Sequence, residues 1–407
     1  IVHELSGVEL KADELDTGDK VAAPMEALGF TLPLTDGKKK TVDVVADGVV
    51  VGTEEIRTGR KPCTNKETLK ALKHPCADAL MDAKKYHKII GTFVASIMRH
   101  QVNGRIHGTF KQLKGETDFG DSEKGAKFGR LSSVDPNMQQ QPGRGKLGKM
   151  WRSIFLPEPG MKWACADFSS QEPRIAAHFA ALTKCGGGKE LAKRYNDNPR
   201  LDFHALMAAL IGNPCTSDLG LECRDEDCGV CSGCGYDRKS AKAIFLGLAY
   251  GMGPAKLCDD LGLPTEWKKS DWGDKKKRRV AGPEGAKLFA QFDEMVPWVR
   301  QLTEKTRKRV GNYGFLVCLE GRRCRFPKKA NGKGYDFLHK CLNRLIQGSA
   351  ADQGKRAMVD LDAAGVYLQL AVHDEYDFSV TIDQEAVDAG KIMVDAAPLL
   401  VPVIVDV

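Results

Sequence analysis

Two short apolar runs, far apart in the chain, each lead directly into acidic side chains. Residues 163–166 precede Asp167, and residues 368–372 precede the sequence His-Asp-Glu at 373–375. Residues 376–380 then alternate, which predicts a return strand and places the second acidic pair at the tip of a hairpin. Adjacent carboxylates repel each other, and a divalent cation removes that repulsion. We therefore expect a β-sheet whose rim holds a metal ion; the alternative interpretation is that these are ordinary turn acids.

The rest of the sequence alternates between helical and extended patterns. Apolar residues at helical spacing predict helices over residues 14–28, 65–99, 173–182, 240–258, 285–310 and 338–364. Short β-branched runs between Gly and Lys turns predict a hairpin over residues 38–54. Breaks are expected at 186–188 and 211–236, and a charged insert at 264–283. No apolar stretch reaches the roughly 18 residues that a membrane span requires, so we expect no membrane partner.

The positive charge is concentrated in one segment, which we call the basic segment. The 407-residue chain carries a net charge of +7, whereas residues 268–329 contain 18 Lys and Arg against 7 Asp and Glu, a local net charge of +11. The rest of the chain is therefore net −4. A basic block in an otherwise mildly acidic protein indicates a polyanionic partner, and a solvated charged surface is the alternative.

Five segments resemble the motifs of family A DNA polymerases, the family of bacterial DNA polymerase I and of phage replicases, and they follow the order of that family. Asp-Phe-Ser-Ser-Gln-Glu-Pro-Arg-Ile-Ala-Ala-His at 167–178 resembles motif A, and Val-His-Asp-Glu at 372–375 resembles motif C. Arg-Lys-Ser-Ala-Lys-Ala-Ile-Phe-Leu-Gly-Leu-Ala-Tyr-Gly-Met at 238–252 is similar to motif B, the fingers helix. Gly-Arg-Leu-Ser-Ser-Val-Asp-Pro-Asn-Met-Gln at 129–139 and Asn-Arg-Leu-Ile-Gln-Gly-Ser-Ala-Ala-Asp at 343–352 resemble the primer–template segment and the helix before motif C.

The resemblance implies an α+β right-hand polymerase fold with an antiparallel palm sheet, helical fingers and a partial thumb. The expected domains are a partial thumb with its connection to the palm at 1–100, and the first part of the palm at 101–185. Fingers follow at 186–335, with a Cys-rich insert at 211–236 and the basic segment at 268–329. The second part of the palm, with the motif C hairpin, occupies 336–407.

The resemblance also implies the catalytic centre. Asp167 and Asp374 match the two carboxylates that bridge the metal ions, the carbonyl of Phe168 is expected to join them, and Glu375 matches a supporting acid. Phosphoryl transfer from a triphosphate requires charge neutralisation and in-line positioning, which two metal ions supply. Carboxylate, water and phosphate oxygens suit Mg²⁺, so two Mg²⁺ ions are the expected cofactors.

Nucleotide contacts are expected mainly along the motif B helix. Four residues spaced four apart form a stripe that drifts only about 40° per step: Arg238, Lys242, Leu246 and Tyr250. By resemblance the Arg and the Lys contact the triphosphate, the Lys protonates the leaving pyrophosphate, and the Tyr closes against the nascent pair. His204 and Arg144 match two further triphosphate contacts. Glu172 matches the residue that packs against the 2′ position of the sugar, so deoxynucleotides should be preferred.

A further group matches residues that line the minor groove and the primer end: Arg130, Asn137, Gln139, Asn343, Gln347 and His373. Such donors read atoms that all base pairs share, so they check shape rather than choose sequence. Three positions depart from the family pattern. Leu246 stands where Phe or Tyr is usual, Ser170 stands where Gln is frequent, and His339 stands where Arg is frequent.

Five of the 13 cysteines cluster within residues 215–234. Four of them offer thiolates within twelve residues: Cys223, Cys228, Cys231 and Cys234. This density makes a structural zinc site one interpretation, and a surface insert of free thiols is the other. The family resemblance does not extend to this insert.

These observations predict a DNA-directed DNA polymerase, a nucleotidyltransferase that binds primer–template DNA and deoxynucleoside triphosphates during phage or bacterial DNA replication. We expect a monomer in the cytoplasm of a bacterium or of a phage-infected host, and a processivity or helicase protein is a candidate partner. Two alternatives stay open: a single-subunit RNA polymerase, and a non-catalytic zinc-containing DNA-binding scaffold. Glu172 and residues 129–139 favour the DNA polymerase over the first, and the intact catalytic and nucleotide-binding residues favour it over the second.

Overall fold

The computed structural model describes residues 1–35, 37–46, 49–112, 129–143, 145–210, 234–249, 251–269 and 277–407. Arg144, Tyr250 and the cysteines at 215, 223, 228 and 231 lie outside these ranges. The chain divides into two compact units, Ile1–Thr109 and Phe110–Val407. Among the described residues, no helix is both long enough and apolar enough to cross a membrane.

The first unit combines short helices with hairpins. Its elements are α1 (Val2–Ser6), α2 (Gly18–Ala27), β1 (Lys38–Ala46), β2 (Val49–Thr58), α3 (Lys66–Ala71), α4 (Pro75–Lys88), α5 (Ala95–His100), β3 (Gln101–Val102) and β4 (Arg105–Ile106). A 3₁₀ turn at Ala12–Glu14 and a π-helical segment at Ile89–Val94 complete it. β1 pairs antiparallel with β2, which confirms the predicted hairpin. Val21, Met25, Leu69 and Leu80 form the centre of its small core.

The helix predicted over 65–99 is interrupted. Lys73 has a left-handed backbone with φ 49°, and α4 then begins at Pro75. Pro lacks the N–H that would continue the preceding helix, but it suits the first turn of a new one. The periodic apolar pattern runs through this break, so the two helices look continuous in the sequence.

The second unit contains the remaining elements. They are β5 (Thr109–Lys111), which starts at the boundary, β6 (Ser132–Val134), α6 (Gly145–Arg152), β7 (Lys162–Phe168), α7 (Gln171–Leu182), α8 (Gly188–Asp197), α9 (Phe203–Leu210), α10 (Cys234–Ala249), α11 (Pro254–Asp260), β8 (Thr265–Lys269), β9 (Lys277–Ala281), α12 (Pro283–Met295), α13 (Pro297–Tyr313), β10 (Phe315–Val317), β11 (Arg323–Arg325), α14 (Cys341–Ala363), β12 (Leu368–Val372), β13 (Glu375–Val380), α15 (Asp383–Asp395) and β14 (Val405–Asp406). The charged insert predicted at 264–283 contains the antiparallel pair β8–β9.

An antiparallel sheet organises this unit. The strand order is β12-β13-β7-β14, and every neighbouring pair is antiparallel. One face of the sheet is apolar: Ala166, Phe168 and Phe378 are buried with Leu361 of α14 and Met393 of α15. Because side chains alternate along a strand, the intervening residues point to the opposite face. Asp167 and Glu375 lie on that opposite face, and Asp374 lies in the turn that precedes β13.

A larger core holds the helices together. Phe203 of α9, Phe245 of α10 and Trp298 of α13 are buried against one another, with ring centroids 4.7 to 6.1 Å apart. Two predicted helices are split here. The one over 240–258 is interrupted around Gly251, which has φ 75°, and resumes at Pro254; the one over 285–310 is divided before Pro297.

Candidate active site

The strand register brings the two acidic segments together. Glu375, the first residue of β13, pairs directly with Asp167 near the end of β7. Asp374 lies in the tight turn before it, and its carbonyl accepts a hydrogen bond from the Phe168 N–H at 3.3 Å. His373 starts this turn with a left-handed backbone, φ 60°. The structure therefore places Asp167, Asp374 and Glu375 at one rim of the sheet, as the sequence predicts.

Two acids that the sequence did not single out belong to the same cluster. Asp406 of β14 pairs with Asp167 from the other side, and Asp377 is buried two residues beyond Glu375 on the same face of β13. Asp406 also forms a 2.8 Å ion pair with Arg200. Alternation along β13 could have indicated Asp377, but the position of Asp406 depends on the pairing of a distant strand.

The acids of this cluster are buried close together, so their ionised forms are disfavoured. Burial is the largest cause that raises the pKa of Asp167, and together with four nearby carboxylates it brings that pKa to about 7: Asp374, Glu375, Asp406 and Asp377. Burial is also the main cause that raises the pKa of each of Asp374 and Glu375. Positive side chains oppose these shifts, Arg130 for Asp374 and Arg152 for Glu375. A group of buried acids whose ionisation is this unfavourable is suited to binding a cation.

The carboxylates of the cluster fit a magnesium site whose remaining ligands come from water and the substrate. Among the described residues, no three His, Cys, Asp or Glu side chains converge into an all-protein metal site. Mg²⁺ usually takes one or two carboxylates and fills its other positions with water and phosphate oxygens. Asp167 and Asp374, which meet through adjacent strand ends, can supply those carboxylates.

A small pocket of about 30 Å³ adjoins the acids. It is lined by Asp374 and by three of the predicted primer–template residues: Arg130, Gln139 and His373. Arg130 forms a 2.5 Å ion pair with Glu172, which lies in the first turn of α7. This contact fixes the carboxylate of Glu172, which is only 18% exposed, beside the pocket.

The helix α14 forms another side of this region. Asn343 and Gln347 lie one turn apart on α14, and Ala350 and Ala351 farther along the helix line the pocket. The Asn343 Oδ1 atom is buried without a hydrogen-bond partner among the described residues. Asn137 instead caps a short 3₁₀ turn, where its Oδ1 accepts a hydrogen bond from the Gln139 N–H at 3.1 Å.

Arg322 connects α14 to the segment at Gly129. No pattern in the sequence indicated this residue. Its side chain forms a 2.5 Å ion pair with Asp352 and donates a 2.8 Å hydrogen bond to the Gly348 carbonyl, both on α14. The same guanidinium packs against Gly129, where an added Cβ would lie 2.9 Å from it. Gly129 also has φ 88°, so both space and backbone conformation require glycine.

The motif B helix is present as α10. Lys242 and Leu246 lie one turn apart on it and are partly buried, and Leu246 packs against the helical core. Arg238 and Cys234 belong to the same helix by their backbone, whereas Tyr250 and Arg144 lie outside the described residues. His204 lies on α9 within the aromatic core, with its ring centroid 5.6 Å from that of Phe203.

Two glycines after Lys242 have a packing reason. A Cβ on Gly247 would lie 3.0 Å from Leu257, so a small residue lets α11 approach α10. At Gly251 a Cβ would lie 2.0 Å from the His339 carbonyl oxygen. Contact with residue 339 thus fixes the segment that follows α10.

The chain is similar in sequence to known DNA polymerases. The sequence profile of DNA polymerase family A matches residues 45–407. The chain is 40% identical to a "DNA-directed DNA polymerase" of Pseudomonas phage M6, over 98% of this chain and 62% of that protein. It is 30% identical to the "DNA polymerase DpoZ" of Salmonella phage PMBT28, over 86% of this chain and 52% of that protein. The chain therefore spans about half to three fifths of these relatives.

A solved structure confirms the predicted α+β polymerase fold. The POL domain of Pol1 from M. smegmatis, determined in complex with DNA primer-template and dNTP, superposes with a TM-score of 0.67 at 23% sequence identity. The match covers 100% of this chain and 61% of that one. Together with the family profile, which spans most of the sequence, these matches show that the chain belongs to DNA polymerase family A.

Proposed function

We propose that this protein is a template-directed DNA polymerase that adds deoxynucleotides to a primer 3′ end and releases pyrophosphate. The observation that carries the proposal is the meeting of Asp167 and Asp374 at adjacent strand ends, within a cluster of buried acids. Phosphoryl transfer needs little covalent chemistry from protein, so positioned charge is the main requirement. Membership of DNA polymerase family A supports the same activity.

Two Mg²⁺ ions, when bound, would neutralise the charge that develops on the reacting phosphate oxygens. Asp167, Asp374 and the carbonyl of Phe168 would hold them, and Glu375 would support the site from β13. Lys242 and Arg238 on α10 would bind the triphosphate, with Lys242 placed to protonate the pyrophosphate. Leu246 and Tyr250 would face the base, and His204 and Arg144 are the remaining triphosphate contacts of the proposal.

The preference for deoxynucleotides is proposed to reside in Glu172. Its ion pair with Arg130 supports this role, because a carboxylate fixed at one end has little freedom to move away from a 2′-hydroxyl. Arg130, Gln139, Asn343, Gln347 and His373 would contact the primer–template minor groove, and Asn137 would shape the segment that carries Gln139.

The proposed domains are a partial thumb at 1–100, a palm at 101–185 and 336–407, and fingers at 186–335. The cysteine cluster at 211–236 is a candidate structural zinc site, supported by the density of thiolates in the sequence. The bacterial or phage-infected cytoplasm is proposed as the location from the bacterial and phage relatives. A monomer remains a prediction from the sequence.

The test is metal-dependent primer extension. Purified protein with Mg²⁺ should extend a primed DNA template, and Asp374→Asn should slow it about a thousandfold, because the lost charge is worth several kcal/mol in the transition state. Asp383→Asn is the matched control: Asp383 is 84% exposed and forms a surface ion pair with Lys162, its one ion-pair partner among the described residues, so its loss should leave turnover unchanged.

Each alternative has its own outcome in this assay. Preferred incorporation of ribonucleotides would support the single-subunit RNA polymerase. DNA binding without incorporation of either nucleotide class would support the scaffold. Near-normal turnover by Asp374→Asn would remove the assignment of the catalytic acids.

A further inference from the structure

An exposed surface near the end of α13 alternates arginines with aromatic rings. The Arg309 guanidinium lies 5.5 Å from the ring centroids of both Tyr313 and Phe315, and the Arg323 guanidinium lies 4.9 Å from that of Phe315. The two rings are tilted, with centroids 6.5 Å apart. Tyr313 is 62% exposed. We call these four residues the cation–aromatic face.

The local fold explains why these side chains share a face. Arg309 and Tyr313 are one helical turn apart on α13, so they lie on the same side of the helix. In the β10–β11 hairpin, Leu316 and Cys324 are buried in the helical core. Phe315 and Arg323 therefore point to the opposite, outer face of the hairpin.

The charge of this region is not balanced by its own acids. Residues 297–329 contain ten Lys and Arg against two Asp and Glu, so the second half of the basic segment alone carries +8. Arg300 pairs with Asp293 at 3.2 Å, but Arg309 and Arg323 have no carboxylate within ion-pair distance among the described residues. This surface can attract a polyanion.

The hairpin that carries Phe315 and Arg323 of this face also reaches the pocket beside the acids. Arg322, beside Arg323, binds Asp352 and Gly348 of α14 and packs against Gly129, which lines the pocket with Asp374. A strand rises about 3.3 Å per residue, so the ring of Phe315 lies roughly 10–15 Å along the hairpin from that end. The face and the catalytic acids are thus connected by one short, well-anchored element.

We propose that the cation–aromatic face binds the single-stranded part of the template. The proposal rests on the polymerase function proposed above, and it assigns a place to a strand that this function requires. Exposed aromatic rings can stack on unpaired bases, whereas the base faces of a duplex are covered by their neighbours. Arginines between the rings can contact the phosphates, the combination that sequence-independent single-strand binders use.

The test measures equilibrium binding of labelled primer–templates by fluorescence anisotropy, without nucleotides. The duplex part is constant, and the 5′ template overhang is either one nucleotide or about a dozen, the footprint of a typical single-strand site. The wild-type protein should bind the long overhang more tightly. Tyr313→Ala should remove about 5- to 150-fold of this advantage, since one stacked base is worth about 1–3 kcal/mol, and Tyr313→Phe should retain it.

Variants that remove equal charge distinguish binding by the cation–aromatic face from an effect of net charge alone. Arg309→Gln with Arg323→Gln should weaken long-overhang binding and flatten its salt dependence, whereas Arg307→Gln with Lys308→Gln removes the same charge from α13 outside the array and should have a smaller effect. Equal losses for both double variants would overturn the proposal. So would a wild-type protein with no overhang preference, or a Tyr313→Ala defect of equal size on both overhangs.

This outcome can be distinguished from a failure of the proposed function. Binding is measured without catalysis, so an overhang preference that depends on Tyr313 supports the face even if primer extension fails. Extension that proceeds normally without any overhang preference removes the proposal about the face alone.

Discussion

Replacing Arg322 tests whether its ion pair with Asp352 holds the active-site region together. Asp352 is only 6% exposed, and Arg322 is its partner at 2.5 Å. Burial raises the pKa of Asp352, and the Arg322 hydrogen bond opposes that shift. Arg322→Ala would leave a buried carboxylate without its cation, which typically costs about 3–5 kcal/mol. Because Arg322 is itself 36% exposed, we expect the lower end, about 3 kcal/mol.

The assay is thermal unfolding monitored by circular dichroism. A loss of about 3 kcal/mol corresponds to a decrease in Tm of roughly 5 °C, because a unit of about 300 residues unfolds with an entropy of about 0.6 kcal/mol/K near 60 °C. Arg325→Ala, two strand positions beyond Arg323 on the same hairpin, is the control and should change the free energy of unfolding by no more than about 0.5 kcal/mol. Arg322→Met combined with Asp352→Leu should recover most of the loss, because it removes the stranded charge as well. Equal Tm values for Arg322→Ala and Arg325→Ala would refute this reasoning.

Three further predictions address the site and the insert. Glu172→Ala should raise ribonucleotide incorporation relative to deoxynucleotide incorporation, as measured by competing-substrate kinetics. Unchanged selectivity would mean that another residue excludes the 2′-hydroxyl. Asp167→Asn, compared with wild type in a metal-chelating buffer, should raise the Tm at pH 8 more than at pH 5. The pKa of Asp167 is raised to about 7, so its ionisation destabilises the native state as the pH rises from about 4 to about 7. An equal gain at both pH values would contradict this. Elemental analysis of protein purified without chelator should find close to one zinc per chain if the cysteine cluster binds it, with less in Cys231→Ser; absence of zinc would favour free thiols.

The sequence predicted the local elements of the palm sheet but not their register. Alternation and apolar length identified β7, β12 and β13, and the position of Asp167 and Asp374 at strand ends followed from that. The roles assigned to individual side chains came from the family resemblance. Asp406 was missed because it joins the cluster only through the pairing of β14 with β7, which depends on the whole fold.

The sequence also failed to predict where several helices end, for a related reason. The apolar pattern persists across the breaks at Lys73 and Gly251, because residues on both sides of each break face a core. At Gly251 the deciding contact is with the carbonyl of His339, a residue far away in sequence. Arg322 was overlooked for the same reason: its importance lies in contacts with Gly129 and Asp352, which no local pattern reveals.

In the proposed function, the acid cluster and the basic side chains of α10 would bind opposite charges of one substrate. Burial, and then repulsion by neighbouring carboxylates, raises the pKa of Asp167, so its ionisation destabilises the fold near neutral pH. The apolar face of the same strands, buried against α14 and α15, supplies the stability that tolerates this repulsion. Lysine and arginine on α10 carry the opposite charge. A metal–triphosphate complex would present its cation to the acids and its phosphates to the lysine and arginine of α10. The acids would therefore bind the metal better when the triphosphate is bound to α10, and the reverse would also hold. The proposed substrate complex would therefore relieve the repulsion that raises the pKa of Asp167.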